Sequence, residues 1–163
     1  MKMHTKLHNA INEQIKNEIY SAYLYLSMAI DCTQKNLPGF AHWMKVQVQE
    51  EVGHAQRLME YLWQREEKVS LQAIDQPPTE FASPREVFEK TLAHEKRVTS
   101  LIHALCALAE NVQDSDTLAA LQWFVAEQAE EEKTASTILE KLTNLTENQS
   151  DLLSLDQTLG QRK

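Results

Sequence analysis

Between residues 66 and 86 the chain has the sequence EEKVSLQAIDQPPTEFASPRE, and this stretch decides how the rest of the molecule folds. Its first 17 residues include two adjacent prolines and show no sustained apolar period, so they predict a long connection. A helix start follows, because Ser83 offers a capping hydroxyl, Pro84 suits a first turn and Glu86 stands in capping-box register. We therefore predict a helix from this point to about Asn111.

On both sides of this connection, apolar residues recur every three or four positions, which is the spacing of an amphipathic α-helix. Two such segments precede the connection and two follow it, and each pair is separated by a short turn. A shorter amphipathic tail predicts a small fifth helix. The predicted helices cover about residues 6–34, 39–65, 83–111, 117–143 and 149–159.

The lengths of the helices and of the connection predict the topology. Each main helix has roughly 27 residues, which gives about 40 Å at ~1.5 Å per residue. The connection can reach about 56 Å at ~3.3 Å per residue, so it can run the whole length of a bundle. We expect an all-α four-helix bundle with a long crossover between helices two and three. One domain is expected over residues 1–163, with the main bundle at about 6–143.

Composition narrows the class of protein. There are only three Gly and four Pro, which is typical of a chain made of long helices. The net charge of −8 opposes binding to phosphate backbones, so nucleic acid is not an expected partner. We find neither a membrane-spanning stretch nor a secretory N-terminus, so we expect a cytoplasmic protein that binds no membrane. Cys32 and Cys106 are isolated and form no disulfide or metal-ribbon pattern.

Four acidic residues lie near the midpoints of the four main helices, on or beside the apolar faces. They are Glu18, Glu51, Glu95 and Glu127. Burying an ionised carboxylate without a partner is costly. Four carboxylates at one level of a core therefore predict a bound cation.

Two of these glutamates have neighbours at helical spacing. His54 follows Glu51 by three residues, and Glu130 and Glu131 follow Glu127 by three and four, so each set points the same way. Carboxylate oxygens with one imidazole suit iron or manganese. A bundle with one Glu from each of two helices and Glu-x-x-His from each of the others is a known di-metal arrangement. This chain departs from it in having Glu at position 130.

Other interpretations of these residues stay open. A single glutamate on a helix is more often a solvated residue than a ligand, and one Glu-x-x-His is weak on its own. Tyr25 lies two turns after Glu18, where it can hydrogen-bond a ligand, donate an electron or act only as a core aromatic. We expect Trp43, Trp63 and Trp123 to be packing residues.

Four motifs, one on each main helix, resemble those of the bacterial non-haem ferritins. They are NEQIKNEIYSAYLY at 12–25, QEEVGH at 49–54, HEK at 94–96 and WFVAEQAEEEK at 123–133. The resemblance implies ferroxidase activity, in which Fe(II) is oxidised by O2 or hydrogen peroxide and Fe(III) is deposited as mineral. It also implies a homo-oligomer, a hollow shell of twenty-four subunits with the fifth helix at the fourfold axes.

The resemblance further implies roles for individual residues. The first iron is expected on Glu18, Glu51 and His54. The second iron is expected on Glu51, Glu95 and Glu127, with Gln128 close by. A third iron site is expected from Glu50, Glu127, Glu130 and Glu131.

Haem is not expected, because Val52 and Glu130 stand where the similar bacterioferritins carry Met and His. Two other functions remain open. One is a di-iron oxidoreductase without storage, such as a rubrerythrin-like peroxidase, although two isolated cysteines provide no rubredoxin-like site. The other is a metal-free helical interaction protein whose mid-helix acids are solvated.

Overall fold

The computed structural model describes residues 2–145 and 148–163, which contain α-helices and no strands. The helices are α1 (Thr5–Gln34), α2 (Pro38–Gln64), α3 (Pro84–Asn111), α4 (Ser115–Thr143) and α5 (Gln149–Leu159). Each boundary lies within two residues of its predicted position. The predicted all-α class and short C-terminal helix are therefore confirmed. None of the described helices combines the length and the apolarity needed to cross a membrane.

Contacts near the helix ends define the topology. The rings of Phe40 and Phe88, close to the starts of α2 and α3, have centroids 6.0 Å apart, so these helices begin at the same end. At the opposite end the hydroxyls of Tyr61 in α2 and Thr117 in α4 are hydrogen-bonded at 2.7 Å. Because Tyr61 is near the end of α2 and Thr117 near the start of α4, these two helices are antiparallel.

The crossover between α2 and α3 runs beside α1 and in the same direction. Near its start, the carbonyl oxygen of Lys68 accepts a hydrogen bond from Asn12 Nδ2 at 3.1 Å. Near its end, the carbonyl oxygen of Phe81 accepts one from Lys35 Nζ. Asn12 is in the first half of α1 and Lys35 caps its C-terminus, so the connection follows most of the helix. The predicted long crossover is thereby confirmed.

Helix α3 starts at the predicted capping sequence. The hydroxyl of Ser83 accepts a hydrogen bond from the amide of Glu86 at 3.1 Å, and Pro84 is the first helical residue. The Glu86 carboxylate accepts from the amide of Ala82, one residue earlier than in a standard capping box. Two amides at this helix start are therefore satisfied by side chains, which stabilises the point where the crossover ends.

Buried apolar side chains form two clusters at the two ends of the bundle. One cluster includes Phe40 and Phe88 and extends to the apolar face of α5. The other includes Ile15 and Leu58 and lies toward the end where α2 finishes. The predicted packing role of Trp63 is wrong, because this side chain is 58% exposed while its neighbour Leu62 occupies the core position. The level between the two clusters is polar.

Helix α5 docks on the N-terminus of α2. Asp156 Oδ1 accepts a hydrogen bond from the amide of Phe40 at 2.8 Å. This amide lies in the first turn of α2, where it has no partner within its own helix and where negative charge is favourable. Gly39 permits the close approach, because a Cβ added there would lie 1.6 Å from the carbonyl oxygen of Asp156.

We expect Gly39→Ala to release α5 from the bundle. The added methyl group clashes with backbone, which cannot rotate away as a side chain can, and overpacking of this kind costs about 1–3 kcal/mol. An 11-residue helix is marginal without tertiary contacts, so undocking should also unfold it. Amide hydrogen exchange should show loss of protection in α5 while α1 to α4 stay protected.

Gly53→Ala is the matched control on the same helix. A Cβ at Gly53 would meet nothing within 4 Å, and Ala is favoured over Gly in a helix by up to about 1 kcal/mol. This variant should be as stable as the parent or more so. Retained protection of α5 in Gly39→Ala would contradict the docking contact described above.

Candidate metal centre

A buried polar layer lies at the level between the two apolar clusters, and all four main helices contribute to it. The fully buried or nearly buried members are Glu18, Gln47, Glu51, His54, Glu95, Gln128 and Glu131. Such a layer is unfavourable in a helical core unless its charges are paired or bound to a cation. Within the described part of the chain, three groups of potential ligands, drawn from this layer and from Glu127 at its edge, have ligand atoms within 4.8 Å of one another.

The first group consists of Glu18, Glu51 and His54. His54 Nδ1 lies 3.2 Å from Glu51 Oε2 and 3.8 Å from Glu18 Oε2. Gln14 Nε2 donates to the other oxygen of Glu18 at 3.1 Å, whereas Glu18 Oε2 is buried with no hydrogen-bond partner. A buried carboxylate oxygen without a donor, beside an imidazole nitrogen and a second carboxylate, fits a cation bound between them.

The second group consists of Glu51, Glu95 and Glu131, so Glu51 belongs to both groups. Gln128 Nε2 donates to Glu95 Oε2 at 3.0 Å, and the hydroxyl of Tyr25 donates to Glu95 Oε1. Burial, and next the charge of Glu95, raises the pKa of the Tyr25 phenol. The phenol therefore keeps its proton and donates a hydrogen bond to a potential ligand.

Glu127 lies at the edge of this layer. Its side chain is 30% exposed, and its Oε1 lies 3.7 Å from His54 Nε2. With His54 and Glu131 it forms the third of the described groups. Glu127 is thus brought together with Glu131 and the imidazole, while Glu131 takes the place beside Glu95 that the family resemblance assigns to Glu127.

Two of the residues expected at a third iron site lie outside these groups. Glu50 is half-buried, and its Oε2 lies 3.0 Å from Arg162 Nη2. Glu130 is exposed to solvent. The third site made by Glu50, Glu127, Glu130 and Glu131 therefore stays a prediction.

The pKa shifts show how the layer accommodates its charges without a metal. Burial raises the pKa of Glu51 and of Glu95 above the usual carboxyl range. Burial and then the charge of Glu95 raise the pKa of Glu131 to about 8. Burial opposes the charged form of His54, but the carboxylates of Glu18 and Glu51 outweigh this and raise its pKa to about 11. The metal-free layer therefore holds protons that a cation would displace.

Sequence reasoning missed Gln47, which is 1% exposed and donates to Glu51 Oε1 at 3.1 Å and to Glu131 Oε2 at 2.7 Å. A pattern in the sequence could have found it. Gln47 precedes Glu51 by four residues, and Gln14 precedes Glu18 by four, so each amide lies one helical turn from a carboxylate. His94 forms a hydrogen bond with the hydroxyl of Ser21 at 2.7 Å.

A helical bundle with a buried layer of carboxylates and one imidazole, in which one glutamate belongs to two groups of potential ligands, fits the class of metal-binding helical bundles. Comparisons with known proteins then specify the family. The ferritin-like domain profile matches residues 8–145. This chain belongs to the ferritin family, and membership supports iron storage as its general role.

The similarity between this chain and its relatives extends over almost the whole length of each. A bacterial non-heme ferritin of Bacteroides fragilis is 43% identical over 157 residues, covering 96% of this chain and 98% of the relative. A probable bacterial non-heme ferritin-like protein of Haemophilus influenzae is 39% identical over 150 residues, covering 92% of this chain and 91% of the relative. The open pore ferritin of Archaeoglobus fulgidus superposes with a TM-score of 0.98 at 44% identity, covering 99% of this chain and 100% of that structure's chain.

Proposed function

We propose that this chain is a ferroxidase that stores iron. In this proposal two Fe(II) ions bind as substrate within one subunit, each loses an electron to O2 or hydrogen peroxide, and Fe(III) passes into a mineral inside a shell of twenty-four copies. The observation that carries the proposal is the position of Glu51. Its carboxylate belongs both to the group with Glu18 and His54 and to the group with Glu95 and Glu131.

The donor set explains why such a site would oxidise iron. Anionic oxygen ligands stabilise the higher charge of Fe(III) relative to Fe(II), which favours loss of the electron. The first iron would be held by Glu18, Glu51 and His54. For the second, Glu51 and Glu95 would be joined by Glu127, on the family resemblance, or by Glu131, on the distances. Tyr25 and Gln128 orient Glu95 by hydrogen bonds.

The partial exposure of Glu127 supports a role in the movement of iron. Its side chain links the buried imidazole of His54 to solvent, whereas Glu18 and Glu51 are almost completely buried. A carboxylate that reaches both environments can pass an ion between solvent and the buried site while its own negative charge compensates the charge of the ion. We propose that Glu127 and Glu131 receive iron as it leaves or enters the paired site.

Aerobic loading tests storage against simple catalysis. We expect the assembled protein to take up far more than two Fe per subunit, with the excess recovered in the shell fraction after gel filtration. Uptake that stops near two Fe per subunit would support the rubrerythrin-like alternative instead. Anaerobic calorimetric titration with Fe(II) tests the site itself, and an absence of binding heat would favour the metal-free interaction protein.

A further inference from the structure

Arg162, beyond the end of α5, is bound tightly to α2. Its Nη1 donates to the carbonyl oxygen of Trp43 at 3.1 Å, and its guanidinium lies 4.2 Å above the Trp43 ring. Its Nη2 donates to Gln47 Oε1 at 3.0 Å and pairs with Glu50 Oε2 at 3.0 Å. Its carbonyl oxygen is hydrogen-bonded to His42 Nε2 at 2.6 Å. Arg162 therefore has a defined position, with its guanidinium directed toward the polar layer.

The contact with Gln47 determines which way that amide faces. An arginine side chain only donates hydrogen bonds, so the amide group must present its oxygen to Arg162. The NH2 group then necessarily faces the opposite direction, where it donates to Glu51 Oε1 and to Glu131 Oε2. The reversed amide would place its oxygen against two carboxylates, which is unfavourable. Each of the two carboxylates belongs to two of the described ligand groups.

We propose that Arg162 is a positioning residue for the iron site, which acts through Gln47 to hold Glu51 and Glu131 in the geometry that binds the second iron. This inference rests on the proposed function, because it concerns the same ligands. The consequence is that α5 is coupled to the chemistry of the bundle. Docking of α5 places the guanidinium, the guanidinium orients the amide, and the amide orients two ligands.

The test is anaerobic calorimetric titration of the assembled, metal-free protein with Fe(II). Arg162→Met removes the donors but keeps an aliphatic side chain to pack on Trp43. Partners that orient ligands typically change metal affinity by about 10- to 100-fold. We expect the second Fe(II) equivalent to bind about tenfold more weakly in Arg162→Met, with a smaller change in the first. Lys163→Met is the control, because it removes the same charge from an exposed neighbour.

A double-mutant cycle distinguishes positioning from simple attachment of α5. Gln47→Met removes the intermediate amide but leaves the contacts of Arg162 with Trp43 and Glu50, and it should weaken the second equivalent about as much as Arg162→Met does. Adding Arg162→Met to Gln47→Met should cause no further loss, since the route through the amide is already absent. Arg162→Lys should restore part of the affinity, because an ammonium group is also only a donor and would favour the same orientation of the Gln47 amide.

Three results would overturn the proposal. One is unchanged affinity for both equivalents in Arg162→Met with intact shells and helicity. Another is that Arg162→Met weakens Fe(II) binding by the same factor in the Gln47→Met variant as in the unsubstituted protein. That result would show that Arg162 does not act through Gln47. If the unsubstituted protein binds no Fe(II), the proposed function itself fails and the positioning role fails with it. Normal binding by the unsubstituted protein together with either of the first two results leaves the proposed function standing.

Discussion

We expect Glu51→Ala to lower the initial rate of Fe(II) oxidation by at least about 100-fold, as followed by the absorbance of Fe(III) after stopped-flow mixing with aerobic buffer. Loss of a partner that only orients a ligand already costs about 10- to 100-fold in affinity or activity, and Glu51 is expected to be a ligand shared by both ions. No other described carboxylate is grouped with both Glu18 and Glu95. In the proposed site, the two ions would then lose both a ligand and their connection.

The fold should survive this substitution. Burial raises the pKa of Glu51, which shows that its charged form is unfavourable in the metal-free core. Removing it relieves that cost and offsets part of the cavity left by the shorter side chain. Glu51→Gln, which leaves no cavity, should lose oxidation to a similar extent. Helicity and the size of the assembly should match those of the parent in both variants.

Glu60→Ala is the control for Glu51→Ala. Glu60 is exposed on the same helix, outside all three groups of potential ligands, so its loss changes charge without changing the site. Oxidation by Glu60→Ala should equal that of the parent. Rapid oxidation that persists in both Glu51→Ala and Glu51→Gln would refute the assignment of Glu51 as the shared ligand.

The second large effect is on stability as a function of pH in the metal-free protein. Glu131, with its pKa raised to about 8, and His54, with its pKa raised to about 11, both bind protons more tightly when folded than when unfolded. A raised folded pKa gives stability that is lost as pH rises, so both groups act in the same direction between pH ~6.5 and ~8. We expect the free energy of unfolding to fall by roughly 1–2 kcal/mol per pH unit in this window.

Below pH ~6.5 a third group opposes this trend. Burial lowers the pKa of His94 to about 4, so its contribution is present above its unfolded pKa and is lost as the pH falls toward the folded value. Above pH ~6.5 the change in stability with pH therefore reports on the polar layer and not on His94. Thermal midpoints of the metal-free protein, measured at a constant scan rate and at half-unit pH intervals, would test the expected dependence of stability on pH.

Metal binding should remove or reverse this fall in the free energy of unfolding with rising pH. A bound cation requires deprotonated ligands, so its stabilisation grows as pH rises. Zn(II) is a suitable probe because it is not oxidised. Glu131→Gln, which keeps the shape of the side chain and an oxygen for Gln47 to donate to, should reduce the slope of the metal-free protein. A thermal midpoint that stays constant or rises from pH ~6.5 to ~8 would contradict the raised pKa values of Glu131 and His54.

These two effects have one physical origin. The polar layer between the apolar clusters costs stability in the metal-free protein, because burial opposes the ionisation of Glu51, Glu95 and Glu131. The apolar packing on both sides supports a layer that would not be stable alone. A bound cation would compensate the negative charges of these carboxylates, and the carboxylates would hold the cation. Cation binding and the stability of the subunit are therefore linked.

Much of the fold follows from local patterns in the chain. Apolar spacing predicts the helices, and the Ser83-Pro84 start predicts where the crossover ends, because both depend on residues within one helical turn. The length of the connection predicts that α3 runs parallel to α2, because a short turn cannot cover the length of the bundle. The mid-helix acids and the Glu51-x-x-His54 spacing predict the level of the buried polar layer in the same way.

The assignment within the layer required the tertiary structure. Glu127, Glu130 and Glu131 are close in sequence on one helix, and helical spacing alone does not decide which of them faces inward. The rotation of α4 about its axis, set by packing against its neighbours, buries Glu131, exposes Glu130 and leaves Glu127 at the edge. A rotation of one residue corresponds to about 100°, which is enough to exchange a ligand for a surface charge.

The sequence by itself determined the helices, their order, the crossover and the presence of a carboxylate layer, because these depend on local spacing and chain length. The tertiary structure alone decided that Glu131 stands beside Glu95, that Gln47 holds two carboxylates and that Arg162 reaches Gln47 from beyond α5. Those contacts join residues 84 or more positions apart or depend on the rotation of a whole helix. They arise only when the packed bundle brings distant segments together.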